Sequence, residues 1–588
     1  MAALSGYDQL VIVFYFAYMA LIGWMCRKFI GNTSDYFRGG GKMVWWIGGS
    51  SAFMVSFSAW TFTGAAGKAY EDGPIVAVIF FGNAIGFLFN YLFFAARFRQ
   101  MRVVTCLEAV RARFGAVNEQ FFTWLQLPLG VLYAGIWLNG LGVFVSAVFG
   151  LDLQTTIIIV GIVVLITAVV GGAWAAVTSD FVQLLILMPL TVVAAGLALI
   201  KIGGVHSFVS QFPSHYVNWN ELARNEMIWL WVIAILIKQF ISTNNMMDAY
   251  RYLNVKDSQH ARRGALLAMV LFLVGPIIWF IPPMVARLTH PDLSAMFPHL
   301  SKPNEAAFVA SCLTNMPDGM IGLLVCGIFA ATMSSMDSGL NKNSGFFVKN
   351  FYQPILRKTA TETELLRVSK IATLILGVLV ILAALTFSTW KSITLFDLML
   401  QFGALVAVPY TIPLIWGALI RRAPSWAGWT TVLIGFACSL SSTTIFNSAW
   451  AERVMGWVDT PLNLREQSDW ALVSGIFLNV FMCSAWFLGS CLFGRRRSSR
   501  EVERVDKFFE QARTPVDFDR EIGGANDAQQ YRLLGLLCLI YGGFTTLLVL
   551  IPNPLTGRMA ILACGGSVLA VGALLFWKSK QPPAEKNI

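Results

Sequence analysis

A polar face interrupts an apolar segment around residue 335. The stretch AATMSSMDSGLN, residues 330–341, continues the apolar run MIGLLVCGIFA. At 100° per residue, four polar side chains share one face of a helix, with Ser335 beside them: Ser334, Asp337, Ser338 and Asn341. Hydroxyl, amide and carboxylate oxygens are suitable ligands for a hard alkali cation. We therefore predict a cation or proton site, the alternative being hydrogen bonds that join neighbouring helices.

Residues 48–70, GGSSAFMVSFSAWTFTGAAGKAY, form a second apolar segment that is rich in Gly, Ser and Thr. Its glycines weaken a helix, and its hydroxyls can bond backbone groups that a break sets free. This composition predicts a helix interrupted within the membrane, where loose carbonyl groups line a site. A small-residue face for close helix packing is the alternative interpretation.

Asp180 lies in a third stretch of this kind, GGAWAAVTSDFVQ at 171–183. Thr, Ser and Asp in succession favour a helix N-cap, which is the simpler interpretation. A carboxylate at this depth could also help to hold a cation.

The composition is that of an integral membrane protein, because 56% of the 588 residues are hydrophobic and only 13% are charged. Nine cysteines are scattered without a CxxC pair, which favours buried hydrophobic residues over a metal site or a disulfide framework. The sequence contains no Walker, HExxH or GxSxG motif. It therefore favours ion-driven transport over ATP-driven transport or hydrolytic catalysis.

About fifteen apolar segments are long enough to cross a bilayer, so we predict an all-α integral membrane protein. Helices are required because lipid offers no partners to unpaired backbone groups. The predicted spans are approximately 7–27, 45–70, 75–97, 119–150, 154–171, 180–202, 227–250, 264–288, 319–350, 369–388, 394–418, 424–446, 468–494, 531–551 and 557–577.

Lysine and arginine are concentrated in alternate loops, such as 97–113, 251–263 and the segment that begins GRRRSSR at 494–500. The positive-inside rule places these loops in the cytoplasm of a plasma or inner membrane protein. The N-terminus is then outside and, with an odd number of spans, the C-terminus is cytoplasmic. The net charge of +11 is explained as a signal of topology and needs no nucleic-acid partner.

Residues 495–530 form one long charged segment on the predicted cytoplasmic side. Val502, Val505, Phe508 and Phe509 would share one side of a short amphipathic helix at the membrane surface. A solvated linker without function is the alternative.

Four stretches of the sequence resemble motifs of the sodium/solute symporter family, whose members carry sugars, myo-inositol, proline, pantothenate, sialic acid or iodide with sodium. GGAWAAVTSDFVQ and GIFAATMSSMDSGLN are similar to its fifth and eighth core-helix motifs. TCLEAVRARFG and YRYLNVKDSQHARRG are similar to two of its cytoplasmic loops. The resemblance covers residues 5–425, in order and at the expected spacing.

The resemblance implies a LeuT-type core of five-plus-five inverted repeats at 45–418. One extra helix and a cytoplasmic loop, 1–44, would precede it. Two peripheral helices at 419–494, the charged segment 495–530 and two C-terminal helices with a tail at 531–588 would follow.

The resemblance also implies a sodium site between the first and eighth core helices. It would use backbone carbonyls or hydroxyls of five residues: Met54, Phe57, Ala331, Ser334 and Ser335. Some members bind a second sodium, and the matching positions here are Asp180, Ser334 and Ser338, with Asp337 beside them. A sodium ion, a proton and structural pairing all remain open for this second position.

Positions that contact sugar in the sugar-carrying members fall on six residues here: Trp60, Thr61, Phe80, Asn83, Asn245 and Gln401. Asn245 and Gln401 suit hydroxyl recognition, whereas Phe80 replaces an acidic residue, and Trp60 with Thr61 replaces a Glu-Gln pair. Two lysines within predicted spans could receive a carboxylate. We expect instead that Lys68 extends outward and that Lys238 pairs with an acid in the bundle.

We therefore predict a sodium-coupled symporter, not an enzyme, that carries a small polar organic solute by alternating access. A sugar or polyol is slightly favoured over an amino acid or carboxylate. The partners would be the solute, the coupling sodium ion and membrane lipid, whereas the oligomeric state is not predicted. The alternatives from other classes are a proton-coupled carrier, using Asp337 and Asp180, and a transporter-like sensor.

Overall fold

The computed structural model describes residues 5–29, 33–524 and 526–581, and most of these residues are helical. The first half of the chain contains α1 Gly6–Cys26, α2 Thr33–Arg38, α3 Trp45–Val55, α4 Ala59–Phe62, α5 Gly64–Asp72, α6 Ala77–Phe89, α7 Ala95–Gln100, α8 Cys106–Phe114, α9 Ala116–Phe149, α10 Leu153–Ile202, α11 Gly204–Ser210, α12 Ser214–Val217, α13 Asn225–Thr243 and α14 Tyr250–Leu253. The second half contains α15 Ser258–Trp279, α16 Ile281–Thr289, α17 Ala307–Asn315, α18 Met320–Phe346, α19 Glu362–Ser388, α20 Leu395–Phe402, α21 Val408–Leu419, α22 Ala427–Thr444, α23 Ser448–Val454, α24 Leu464–Ser490, α25 Ser499–Gln511, α26 Phe518–Glu521, α27 Asp527–Leu547 and α28 Leu555–Lys578.

Among the described residues, twelve helices are long and apolar enough to cross a membrane, and thirteen if the bent pair α22–α23 is one span. The prediction of an all-helical membrane protein is confirmed. The number of about fifteen spans stays a prediction, because two of the predicted spans form shorter helices. These are 45–70, which is divided into α3, α4 and α5, and Leu153–Val169 at the start of α10.

The polar face of the sequence lies on α18, the central helix of the bundle. α18 packs against α1, α3, α9 and α10, and it is buried along most of its length. Its polar side chains therefore face other helices, where they can meet polar groups of those helices.

The sixth core helix is shorter than the predicted span 227–250. α13 ends at Thr243, and a 3-10 turn follows at Met246–Ala249. The Asn245 Oδ1 caps this turn by accepting a hydrogen bond of 2.9 Å from the Met247 nitrogen. An asparagine side chain, rather than Gly or Pro, therefore marks the end of this helix.

Part of the charged segment 495–530 docks on the helical bundle. α25 lies along α8 and buries Val505, Phe508 and Phe509. The guanidinium of Arg113, at the end of α8, lies 5.8 Å from the ring centre of Phe509. The apolar side of this helix is thus covered by protein. This differs from both predictions for the segment, a helix at the membrane surface and a solvated linker.

Replacing both Phe508 and Phe509 with serine is expected to release α25 from α8. Each buried phenylalanine contributes about 1.5–3 kcal/mol through burial, so trypsin should cleave at the exposed Lys507 at least about tenfold faster. Cleavage rates of the purified protein, followed by mass spectrometry, provide the measurement. Glu503→Ala, at an exposed position of the same helix, should cleave at the wild-type rate. A wild-type rate in the double variant would show that this face does not hold α25.

Candidate ion and solute site

The first core helix is broken near its centre. α3 ends at Val55 and α4 begins at Ala59, so the chain between them leaves the helical path. The Ser58 side chain caps the second piece by accepting a hydrogen bond of 3.3 Å from the Trp60 nitrogen. The interruption predicted for 48–70 is confirmed, and it frees backbone carbonyl groups inside the bundle.

Ser335 of α18 faces this break. Its Oγ lies close to four carbonyl oxygens, at 3.0 Å from Phe57, 3.2 Å from Val55, 3.4 Å from Met54 and 3.3 Å from Ala331. A hydroxyl has one proton, so it can donate to only one of these oxygens at a time. The other oxygens converge without a donor from this hydroxyl, and a hard cation is suited to such an arrangement.

The spacing of these oxygens suits a cation of the size of sodium. Ca²⁺, whose radius is close to that of Na⁺, takes oxygen ligands at about 2.3–2.6 Å, so ligands at right angles lie roughly 3.2–3.7 Å apart. The separations from the Ser335 Oγ are 3.0–3.4 Å. Small outward movements would therefore give the spacing of a complete shell. The carbonyl of Val55, which was not among the predicted ligands, lies in the same group of oxygens.

Asp180 and Ser334 form a second buried group of oxygens next to the break. Ser334 is close to the Asp180 carboxylate, although the Ser334 Oγ has no hydrogen-bond partner among the described residues. Asp180 Oδ2 accepts a hydrogen bond of 2.5 Å from Ser51 of α3, whereas Oδ1 has no partner in the same ranges. The N-cap interpretation of Asp180 is wrong, because the residue lies inside the continuous helix α10.

The other members of the polar face lie nearby but do not reach the break. Asp337 is close enough to Asp180 for the two charges to interact, and its Oδ1 has no hydrogen-bond partner in the part of the chain described. Ser338 and Asn341 line a small cavity of about 60 Å³, together with Ser51. The predicted face is therefore divided between two neighbouring polar environments.

A cavity of about 270 Å³ lies beside the break, close to the lower end of the roughly 300–1,000 Å³ of ligand pockets. Gln239 of α13 lines this central cavity, and its amide donates a hydrogen bond of 2.8 Å to Asn83 Oδ1. Five of the six residues predicted to contact the solute line it: Trp60, Thr61, Phe80, Asn83 and Asn245.

Gln401, the sixth predicted residue, does not line the central cavity. Its amide nitrogen lies 3.5 Å from the Ser468 Oγ of α24, beside a separate and smaller cavity. Leu400 and Gly403 contribute to the central cavity instead. Since successive residues of a helix are turned by 100°, this orientation of α20 directs Gln401 toward α24.

Asn245 lines the central cavity, but its own turn engages its amide. Nδ2 donates to the carbonyl of Ser242 at 2.9 Å and to Asp248 Oδ2 at 3.0 Å. Oδ1 accepts from the Met247 nitrogen at 2.9 Å. An amide has two N–H donors and one acceptor oxygen, so little capacity remains for the hydroxyls of a sugar.

Aromatic side chains close one end of the central cavity. Trp60 stacks on Phe396 of α20, with ring centres 5.8 Å apart, and Phe80 lies 6.4 Å away on another side. The Trp60 Nε1 donates to the carbonyl of Leu395 at 2.9 Å, and the Leu395 nitrogen donates to Glu305 Oε1 at 2.8 Å. Burial raises the pKa of Glu305 to about 7.

Lys68 and Lys238, the two lysines within predicted spans, do not have the surroundings that we expected from the sequence. Lys68 does not extend freely outward, because its Nζ lies 3.1 Å from Asp72 Oδ2 and 3.8 Å from Glu71 Oε2. Lys238 lines the central cavity and forms no ion pair with any acid that the structure describes. The expected pairing of Lys238 with an acid is therefore wrong for the described residues.

The profile of the sodium:solute symporter family matches residues 36–430, which is more than half of the chain. This chain belongs to the sodium:solute symporter family. The resemblance found in the sequence motifs is thus confirmed. Members of the family are transporters rather than enzymes, with sodium as the coupling ion and a small solute as the partner.

Curated relatives of this symporter carry different solutes. It is 24% identical over 451 residues to the sodium/sialic acid symporter SiaT of Proteus mirabilis (strain HI4320), covering 74% of this chain and 90% of the relative. It is 24% identical to sodium/glucose cotransporter 1 of Mus musculus, covering 74% and 71%. It is 25% identical to sodium/myo-inositol cotransporter 2 of Oryctolagus cuniculus, covering 73% and 69%. These similarities leave the solute of this symporter open.

Solved structures show that the symporter shares a known transporter fold. A Na⁺-coupled sialic acid symporter in a substrate-bound outward-open state matches with a TM-score of 0.63 at 20% identity, covering 82% of this chain and 98% of that one. A nucleobase-cation-symport-1 family transporter in a closed conformation matches with a TM-score of 0.50 at 13% identity, covering 81% and 99%. The fold is the LeuT-type fold expected from the motifs, while the inverted repeat itself stays a prediction.

Sequence analysis missed some residues that line the central cavity of the symporter. Gln239 follows Lys238 directly in the apolar run WVIAILIKQFIST, so this polar pair was an available signal. Tyr133 of α9 lies in an apolar helix of ordinary composition and offered no such signal.

Proposed function

We propose that the symporter carries a small polar organic solute together with sodium across the cell membrane by alternating access. The convergence of backbone carbonyls on the Ser335 Oγ, between the broken helix and α18, supports this most directly. A sodium ion at this place would join α3 to α18, and its release would let the two helices separate. Coupling follows when sodium and solute favour the same conformer.

The proposed sodium ligands and the proposed solute cavity share one segment of backbone. The ligands would be the carbonyls of Met54, Val55, Phe57 and Ala331 with the hydroxyl of Ser335. The hydroxyl of Ser334, which lies beside Asp180, would be the remaining predicted ligand. Residues of the same break line the solute cavity, namely 55, 56 and 58. A shift of the break would therefore change the ion site and the solute site together.

The proposed orientation places the basic loops in the cytoplasm, the N-terminus outside and the C-terminus inside. The lining of the central cavity extends to Arg251, the first residue of the basic loop 251–263, while the contacts of Trp60 close the opposite end. With this orientation, the central cavity would extend toward the cytoplasmic side. Exposed apolar side chains of the outer helices, such as Ile277 and Ile375, would contact lipid.

The structure gives less support to a sugar or polyol than the sequence does. The Asn245 amide is engaged by its own turn, and Gln401 faces α24. These were the two residues best suited to hydroxyl recognition. The contacts of the cavity therefore support a carboxylate or an amino acid as the solute at least as well as a sugar.

Uptake by the purified symporter in proteoliposomes tests the proposed function. With an inward sodium gradient we expect accumulation of at least one of D-galactose, myo-inositol, L-proline and L-lactate. Replacing sodium with choline should abolish it. Accumulation that follows a pH gradient and ignores sodium would support the proton-coupled alternative. The Asp180 and Asp337 carboxylate oxygens that lack a hydrogen-bond partner among the described residues favour this alternative. Solute binding without any transport would support a sensor.

A further inference from the structure

Among the described residues, the central cavity contains a buried cation, Lys238, that has no ion-pair partner. Lys238 of α13 is only 8% exposed and lines this cavity. Its Nζ donates a hydrogen bond of 3.2 Å to Gln239 Oε1, and it forms no ion pair within the ranges that the structure describes. A buried charge without a partner is strongly unfavourable, so a lysine in this position favours the binding of an anion.

The packing of neighbouring helices fixes the position of this lysine. The Lys238 side chain extends over Gly403, where an added Cβ atom would collide with the Lys238 Cε and lie 2.9 Å from Nζ. The Tyr133 hydroxyl lies 3.8 Å from the same point and also lines the cavity. The ammonium group is therefore held at the cavity wall, near a hydroxyl that can also donate.

The remaining charges leave the central cavity positive. Besides Lys238, its charged lining residues are Asp248, Arg251 and Lys342. The Asp248 carboxylate is already engaged, since Arg251 Nη2 lies 3.3 Å from Oδ1 and Asn245 Nδ2 donates to Oδ2 at 3.0 Å. Three cations against one carboxylate attract an anion. Among the described lining residues, no carboxylate is free to bind the ammonium group of an amino acid.

We infer that the solute is a small carboxylate without an ammonium group and that its carboxylate binds the ammonium of Lys238. This inference rests on the proposed function, because it names the solute class of the same site. Hydrogen bonds between ionised groups are roughly twice as strong as those between neutral groups, so Lys238 would provide the main polar contact. The rest of the solute would lie against Trp60 and Phe80, the aromatic wall of the cavity.

Matched carboxylates and amides test the inference on the full-length protein. The melting temperature would be measured in sodium chloride with acetate, L-lactate or D-gluconate, and with acetamide, lactamide or gluconamide. We expect at least one carboxylate to raise the melting temperature through binding, while its amide at the same concentration does not. L-alanine, which has an ammonium group where L-lactate has a hydroxyl, should also have no effect. The inference is overturned if no carboxylate binds, or if an amide binds as tightly as its acid.

The Lys238→Met variant separates a binding role from a structural role. Methionine keeps the length of the side chain without its charge, so carboxylate affinity should fall at least about tenfold. The melting temperature of the ligand-free variant should equal or exceed that of the wild type, because an unpaired buried charge is removed. Lys302→Met, outside the central cavity, is the matched control and should bind carboxylate like the wild type. A large fall in the ligand-free melting temperature with carboxylate affinity retained would assign Lys238 a structural role and overturn the inference.

Failure of this inference and failure of the proposed function are distinguishable in proteoliposomes. Sodium-driven accumulation of a neutral solute, without that of any carboxylate, would keep the proposed function and overturn the inference. Carboxylate binding that requires Lys238 but is never accompanied by sodium-driven uptake would keep the inference and overturn the proposed function.

Discussion

Ser335→Ala is expected to weaken the binding of the coupling sodium ion during uptake while the protein still folds. The lost hydroxyl is the group that lies within 3.4 Å of carbonyls on both the broken helix and α18. Loss of one ligand to a charged group costs about 1.5–3 kcal/mol, and about 1.4 kcal/mol corresponds to a tenfold change. The sodium concentration for half-maximal uptake should therefore rise roughly 10–100-fold. Initial uptake rates at increasing sodium concentration provide the measurement.

Ser344→Ala is the matched control for this variant. Ser344 is also a buried serine of α18, but its Oγ donates to the carbonyl of Ser369 at 2.8 Å, away from the break. We expect this change to alter stability and to leave the sodium concentration for half-maximal uptake unchanged. Wild-type sodium dependence in Ser335→Ala would contradict the proposed ion site. An equal shift in both variants would indicate a general loss of α18 packing instead.

The broken helix and the polar helix could be predicted because each depends on local sequence. The Gly, Ser and Thr content of 48–70 weakens one continuous helix regardless of its neighbours. Helical periodicity likewise places Ser334, Asp337 and Ser338 on one face. Periodicity does not fix how α18 is rotated against its neighbours. It was therefore the family resemblance, rather than the pattern, that pointed to Ser335 as the residue facing the break.

Contacts between distant parts of the chain account for the predictions that failed. Asp180 follows Thr178 and Ser179, which locally favours an N-cap. In the structure the helix α10 continues through this position, and it packs against α3 and α18. Gln401 is directed by the rotation of α20 against α24, and Lys238 extends into space that Gly403 leaves open. Such partners are remote in sequence, so local composition does not reveal them.

Asp180 is the candidate ligand of a second cation, and one isosteric substitution can test this role. The residue is fully buried, and in the described part of the chain it forms no ion pair. Its Oδ2 accepts a hydrogen bond from Ser51, while its Oδ1 has no partner there. An ionised carboxylate in this environment costs several kcal/mol unless a positive charge accompanies it. We therefore expect an ion or a proton to neutralise Asp180 during at least part of the transport cycle.

Asp180→Asn is expected to lower by one the number of cations, sodium ions or protons, that move with each solute. The amide keeps the shape of the side chain and can still accept the Ser51 hydrogen bond, but it brings no charge to offset a cation. The ratio of radioactive sodium flux to labelled solute flux measures this change. Asp8→Asn is the control, because Asp8 is a buried acid of α1 that accepts a hydrogen bond of 2.7 Å from the Gly322 nitrogen. That variant should lose stability and keep the wild-type ratio. An unchanged ratio in Asp180→Asn would leave Asp180 a structural role, whereas a proton flux present in the wild type and absent from the variant would make it a proton site.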